Sequence, residues 1–398
     1  MASLKLENVN KVYPSGITAL HDINFEIDDK EFIVVLGADG SGKSTLIRTI
    51  AGLEDVTSGS IYMDDKDVTD EDSKERNIAF VFRGGALNQT VNVYENLAYG
   101  LKIRKAPQAL IEKRVKTVSS ILDLDGLLTK KIKGLTAAQK VRVTIGRALV
   151  REPRLYLFDE PLSGLDNNLQ DEILRLVINL QARISGSFLY ATKDVSEALT
   201  IGTRIIVMKD GLIQQIDTPA NLYDYPANAY VAFYIGSPTI NFVHNAHILK
   251  SGEEYCAVCG DLKFPLAENI VKRFENIDEY SGSEKKVLLG IRPEDITLGE
   301  GIEATCEYCE EGYISFAVNK DLSLVASSNK NLQKGEKASL KVDETRLYIF
   351  DEATRLTLLS RDSNYKNTGR KDAEYKPLPL DEENAITKTS PSDKAKKR

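Results

Sequence analysis

Gly37-Ala38-Asp39-Gly40-Ser41-Gly42-Lys43-Ser44-Thr45 fits the pattern G-x-x-x-x-G-K-[ST], and its surroundings decide the fold. The glycines let backbone amides converge on a phosphate without side-chain obstruction, and the helix that follows offers its positive N-terminal end. Lys43 is placed to bridge the β- and γ-phosphates of a nucleotide, and Ser44 to put a hydroxyl on Mg²⁺. An apolar run, Phe32-Ile33-Val34-Val35-Leu36, precedes the loop, and a helix-forming run over 43–51 follows it. That strand–loop–helix context makes an ordinary Gly-rich turn a poor competitor. The expectation is therefore bound Mg-ATP.

Leu155-Tyr156-Leu157-Phe158-Asp159-Glu160 supplies a second half. A buried strand ends in an acidic pair, with Asp159 placed for the Mg²⁺ shell and Glu160 for polarising an attacking water. Around these motifs, apolar runs at 32–36, 77–82, 154–158, 187–191 and 204–208 alternate with helical patterns at 43–51, 107–124, 137–150, 168–184 and 195–199. The alternation predicts an α/β domain with a largely parallel sheet to about residue 235. From 236 the texture changes to short alternating segments (254–258, 286–291, 313–318, 339–342, 346–349) separated by Gly, Asn and Asp turns. A helix around 267–276 interrupts them. This predicts a small all-β, barrel-like domain over 236–360. The polar stretch 361–398, ending Ser392-Asp-Lys-Ala-Lys-Lys-Arg398, has too little apolar content to fold alone and reads as a disordered, solvated tail.

The bulk numbers narrow the classes. The 398 residues are 42% hydrophobic and 28% charged, as in a soluble globular protein with room for two or three domains. No apolar stretch is long enough to span a bilayer, and the N-terminus lacks a signal peptide's apolar block. Any membrane role is expected to be borrowed from a partner. Four cysteines do not make a disulfide scaffold, so a reducing cytoplasm is the default. The net charge of −7 gives no general attraction to nucleic acid, and no nucleic-acid partner is expected.

With both motifs placed, the chain resembles an ABC (ATP-binding cassette) ATPase, and more closely the ATP-binding subunits of maltose- and glycerol-phosphate-type importers. The resemblance covers about residues 1–360. Tyr13 matches the family's adenine-stacking aromatic, and Leu162-Ser163-Gly164-Leu165-Asp166 matches the loop that crosses the dimer interface. Tyr94-Glu95-Asn96-Leu97-Ala98-Tyr99-Gly100 resembles the segment near the membrane partner's coupling helix. Gly290-Ile291-Arg292-Pro293-Glu294-Asp295 and Tyr348-Ile349-Phe350-Asp351-Glu352-Ala353-Thr354 resemble the accessory barrel of these subunits. The resemblance implies an α/β P-loop NTPase cassette with a helical subdomain, followed by an OB/TOBE-like regulatory barrel. It also implies two cassettes pairing head to tail, each ATP lying between one phosphate loop and the partner's signature segment. Integral membrane permease subunits, an extracellular solute-binding protein acting indirectly, and a place at the cytoplasmic face of the membrane come with it.

Three positions depart from the family pattern. The usual Gln after the Val-Phe strand is Arg83, whose guanidinium offers only donors and repels a metal ion. The usual Leu-Ser-Gly-Gly-Gln is Leu135-Thr136-Ala137-Ala138-Gln139, in which each alanine adds a Cβ where the partner's γ-phosphate should approach the backbone. The usual switch His is Lys193, a flexible point charge with no acceptor nitrogen. Three coincident changes at the γ-phosphate end predict a cassette that binds ATP well and splits it slowly, paired with a more competent one. Retention of Glu160 pulls the other way.

Cys256-Ala257-Val258-Cys259 and Cys306-Glu307-Tyr308-Cys309 could close a tetrahedral zinc site, but their separation exceeds zinc-ribbon spacing. Regular strand alternation would also put Cys256 and Cys259 on opposite faces, so structural cysteines are favoured. His21, His244 and His247 offer no convincing ligand cluster. Three function classes remain in view. The first is a transport ATPase subunit. The second, a cassette protein of translation or DNA repair, usually carries two cassettes or a coiled-coil insertion, neither present here. The third is a regulatory or scaffolding subunit that binds ATP without useful turnover.

Overall fold

The computed structural model describes residues 4–365 except 182, 185 and 311. The tail expected to be disordered lies, from residue 366, outside the described residues. The described chain divides into two compact units between Pro219 and Ala220 rather than at 235.

In the first unit the strands, in chain order, are β1 (Leu4–Val12), β2 (Thr18–Ile27), β3 (Phe32–Leu36), β4 (Ser58–Met63), β5 (Lys66–Asp67), β6 (Ile78–Val81), β7 (Leu155–Asp159), β8 (Ser187–Thr192), β9 (Arg204–Lys209) and β10 (Leu212–Asp217). The helices are α1 (Lys43–Ile50), α2 (Val93–Ile103), α3 (Gln108–Ile121), α4 (Ala137–Leu149), α5 (Asn167–Gln181) and α6 (Val195–Ile201). A six-stranded sheet runs in the order β10-β9-β3-β8-β7-β6, and only its β10 edge pairs antiparallel. Every residue of β3, β7 and β8 is buried, which is why these strands read as unbroken apolar runs. A second, antiparallel sheet has the order β2-β1-β4-β5. In β1 the buried residues are Leu4, Leu6 and then Val9, because a register shift between Leu6 and Val9 breaks the alternation.

Register brings the two motifs together. Leu36 pairs with Thr192, Asp159 with Ala191, and Val81 with Phe158. The loops after β3, β6, β7 and β8 thus leave the sheet at one carboxyl-terminal edge, where doubly wound folds bind ligands.

The second unit holds α7 (Pro219–Asp224), α8 (Ala229–Tyr234), β11 (Asn241–Ser251), β12 (Glu254–Cys259), β13 (Leu262–Leu266), α9 (Glu268–Arg273), α10 (Ile277–Tyr280), β14 (Val287–Ile291), β15 (Ile296–Glu310), β16 (Tyr313–Ala317), β17 (Ser323–Ser327), β18 (Lys337–Val342) and β19 (Tyr348–Asp351). Two antiparallel sheets, β13-β12-β11-β14-β19 and β17-β16-β15-β18, share one apolar core, so the region is a small β-rich domain that also carries short helices. Arg292 explains why α7 and α8 belong here. It is fully buried, lies 4.0 Å over the Tyr223 ring and 5.3 Å over the Tyr348 ring, and donates to the Ala232 carbonyl at 2.8 Å. A buried guanidinium needs those partners, so it holds both helices to the β unit.

Candidate nucleotide site

The phosphate loop has the local geometry its glycines allow. Gly40 and Gly42 have φ of 84° and 99°, a region where a side chain is strained. A Cβ on Gly42 would stand 2.7 Å from the Ala19 carbonyl, and one on Gly37 would stand 2.5 Å from both the Met208 carbonyl and Ser41 Oγ. The loop then enters α1 at Lys43.

Beneath the loop, the Ser44 hydroxyl donates to Asp159 Oδ1 at 2.7 Å. Arg48 lies 3.7 Å from the other oxygen of Asp159. The Lys43 ammonium, 3% exposed, donates to the Ala38 carbonyl at 2.8 Å and stands 3.6 Å from Glu160 Oε1. Burial pulls Lys43 below the usual lysine range, against the attraction of Glu160 and Asp39. Glu160 follows β7 with φ of 46°, a left-handed conformation uncommon outside glycine, while its N–H is held by the Ala191 carbonyl at 3.1 Å.

At the outer end the contacts change character. Arg83, 59% exposed, reaches Glu160 Oε2 at 3.3 Å. Lys193, about half exposed, donates to Asp39 of the phosphate loop at 2.8 Å. The hydrogen bond from Lys193 holds the Asp39 carboxyl below its ordinary range, and Asp39 raises Lys193 in return. All three carboxylates of the site, Asp39, Asp159 and Glu160, therefore face cations of the chain itself.

The ABC transporter domain family matches residues 20–163. The oligosaccharides import ATP-binding protein MsmX of Bacillus subtilis is 38% identical over 375 residues, covering 90% of this chain and all of MsmX. The sn-glycerol-3-phosphate import ATP-binding protein UgpC of Bordetella avium is 39% identical, covering 87% of this chain and 93% of UgpC. The CbiO1 structure from Clostridium perfringens, part of the ABC transporter complex CbiONQ, has a TM-score of 0.53 at 30% identity, covering 56% of this chain and 90% of CbiO1. The chain belongs to the ABC transporter ATP-binding proteins.

The residues of this cassette suit a nucleotide. The Ser41 hydroxyl, 3% exposed, has no hydrogen-bond partner among the described residues, so it is free to donate to a phosphate oxygen. At Gly40 nothing lies within 4 Å of where a Cβ would stand, so the loop backbone there faces open space. Ser44 and Asp159 together offer a divalent cation a hydroxyl and a carboxylate. Tyr13 is half-buried, and its hydroxyl lies 3.2 Å from that of Thr45, which tethers the ring to the last loop residue. Burial raises its pKa.

The signature residues stand apart from this cluster. Thr136 caps α4, with its hydroxyl accepting from the Gln139 N–H at 3.3 Å and its own N–H donating to Gln139 Oε1 at 3.1 Å. Ala137 is exposed, but Ala138 is only 6% exposed. Ala138, at the second position of α4, is buried, so of the two methyl groups only that of Ala137 is exposed. Asp166 is exposed and caps α5, accepting from the Leu169 N–H at 3.1 Å.

The four thiols do not converge. Cys256 and Cys259 lie on β12 in one sheet, and Cys306 and Cys309 on β15 in the other. No group of three or more His, Cys, Asp or Glu is arranged for a metal ion among the described residues. Sequence reasoning missed Arg48 as a partner of Asp159. The helical spacing from Ser44, four residues on the same face, was the signal available.

Proposed function

We propose that this chain is the ATP-binding subunit of an importer for sugars or related solutes such as glycerol phosphates, with ATP hydrolysis slowed at its own site. It works at the cytoplasmic face of the membrane, paired with a second cassette and with integral membrane permease subunits, downstream of an extracellular solute-binding protein. Two relatives named for oligosaccharide and glycerol-phosphate import support the solute class. A groove of about 790 Å³ in the first unit, lined by the exposed Leu53, Phe82, Tyr99 and Ile103, supports docking of a permease segment. No helix among the described residues is long and apolar enough to cross a membrane, which fits a borrowed channel.

The observation that carries the slow-turnover reading is the Arg83–Glu160 ion pair beside an otherwise complete floor. Lys43, the loop amides and Ser41 would bind and orient the phosphates, Ser44 and Asp159 would hold Mg²⁺, and Tyr13 would meet the adenine. The metal, when bound, neutralises phosphate charge. Glu160 would take a proton from the attacking water, yet its two oxygens face Lys43 and Arg83. The Arg83 ion pair competes with that water for the Glu160 carboxylate. Lys193 is likewise engaged with Asp39, and as a donor-only group it binds phosphate better than it orients water.

A second reading, an ATP-binding regulatory or scaffolding subunit with no useful turnover, is favoured by those same two ion pairs. The deciding experiment measures ATP affinity and turnover of the chain, alone and in the assembly that copurifies with it, beside Glu160→Gln. Slow turnover lost in the variant supports the importer reading. Tight binding with the same negligible turnover in both supports the scaffold, and brisk turnover abolished by the variant contradicts both.

A further inference from the structure

The two Cys-x-x-Cys segments share a spacing but not a geometry. Along β12 the register against β13 is unbroken, Cys256 opposite Pro265 and Cys259 opposite Leu262. Three residues on a regular strand reverse the face, and the two thiols accordingly find separate partners. Cys256 Sγ lies 3.7 Å from the Ala257 carbonyl, whereas Cys259 Sγ donates to the His244 carbonyl at 3.3 Å.

Along β15 the register slips. Cys306 pairs with Phe316, but Tyr308 pairs with Ser315 and Cys309 with Ile314, so Glu307 is an extra residue on the β15 side. Such a bulge changes the parity of everything after it. Cys309 thereby returns to the core-facing side with Cys306. The two Sγ atoms are 3.8 Å apart and share the Leu332 carbonyl, at 4.0 Å from Cys306 and 3.2 Å from Cys309. Cys306 is 2% exposed, and Cys309 is half-buried at the edge of the same core.

We propose that Cys306 and Cys309 are a dithiol modification site, closed to an intramolecular disulfide by a small-molecule disulfide such as oxidised glutathione. The more accessible Cys309 sulfur attacks one sulfur of the oxidant, forming a mixed disulfide and releasing one glutathione thiolate, which takes up the Cys309 proton. Cys306 then attacks the Cys309 sulfur and expels the second glutathione, which takes up the Cys306 proton. Two cysteine thiols are oxidised and one glutathione disulfide is reduced to two thiols, so atoms and electrons balance. Burial and the adjacent Cys309 push the Cys306 thiol up to about 11, which leaves it inert toward bulk oxidants. Contact between the sulfurs offsets that low thiolate fraction for the one intramolecular step. Cys256 and Cys259, on opposite faces, have no such step.

The test treats the folded full-length protein with oxidised glutathione, alkylates remaining thiols and maps each cysteine by mass spectrometry. The site predicts a peptide two hydrogens lighter that contains Cys306 and Cys309, formed at least about tenfold faster than any disulfide involving Cys256 or Cys259. Cys306→Ser, checked for native circular dichroism, should trap glutathione on Cys309, whereas the wild type should not retain it. If Cys306→Ser does not fold, the wild-type map alone decides. Alkylation of both Cys306 and Cys309 after oxidation, or glutathione retained on wild-type Cys309, overturns the proposal.

Discussion

The floor and the outer end of the nucleotide site are built from the same kinds of charge, but they are built differently. On the floor, Lys43 and Asp159 are each 3% exposed, and short hydrogen bonds to Ala38 and from Ser44 fix them. At the outer end, Arg83 and Lys193 are 59% and 48% exposed and hold carboxylates through ion pairs that water screens. Fixed, desolvated donors bind a phosphate strongly; long exposed side chains add charge without fixing a water molecule. The contrast teaches why affinity and turnover should separate in this cassette.

The largest effect should come from the floor. Lys43→Ala removes a buried cation from the proposed phosphate site, and ATP affinity measured by titration calorimetry should fall about a hundredfold. An affinity loss below about threefold would break the comparison, since the floor would then not dominate binding. Next, Arg83→Gln frees Glu160 and restores an acceptor at that position. Turnover in the copurified assembly should rise about tenfold or more while ATP affinity changes little. Asp159→Asn keeps the shape but removes the carboxylate charge, so Mg²⁺ should improve ATP affinity about tenfold less than in the wild type, read by titration with and without chelator.

The smallest effect concerns the Lys193–Asp39 pair, where Lys193→Ala should change folding stability by less than about 1 kcal/mol and lose even that in high salt. The sign of its pH dependence follows from both partners. Asp39, lowered, contributes above the ordinary carboxyl range and fades as pH falls through its folded pKa; Lys193, raised, contributes below the ordinary lysine range and fades as pH rises through its own. Thermal melts of wild type and variant should therefore differ near neutrality and converge at both extremes.

Much of the floor was legible in the sequence because it is local. The Gly37–Thr45 stretch carries its own geometry in its glycines, and β3, β7 and β8 announce burial on both faces by unbroken apolar runs. The outer end was legible only as a list of unusual residues. Arg83 meets Glu160 through strand register, because Val81 pairs with Phe158 and the next residues leave the sheet together. No spacing in the sequence encodes that. The burial of Ala138 depends on how α4 packs, and the shared face of Cys306 and Cys309 depends on one extra residue in β15. The unit boundary moved from 235 to 219 for a similar reason: Arg292, far along the chain, supplies the buried contacts that hold α7 and α8.

The most direct measurement compares ATP affinity and steady-state turnover for wild type and Arg83→Gln in the assembly that copurifies with the chain. The contrast between floor and outer end predicts equal affinities and a variant at least about tenfold faster. Equal turnover in the two, or a wild type already brisk and abolished by Glu160→Gln, would contradict it.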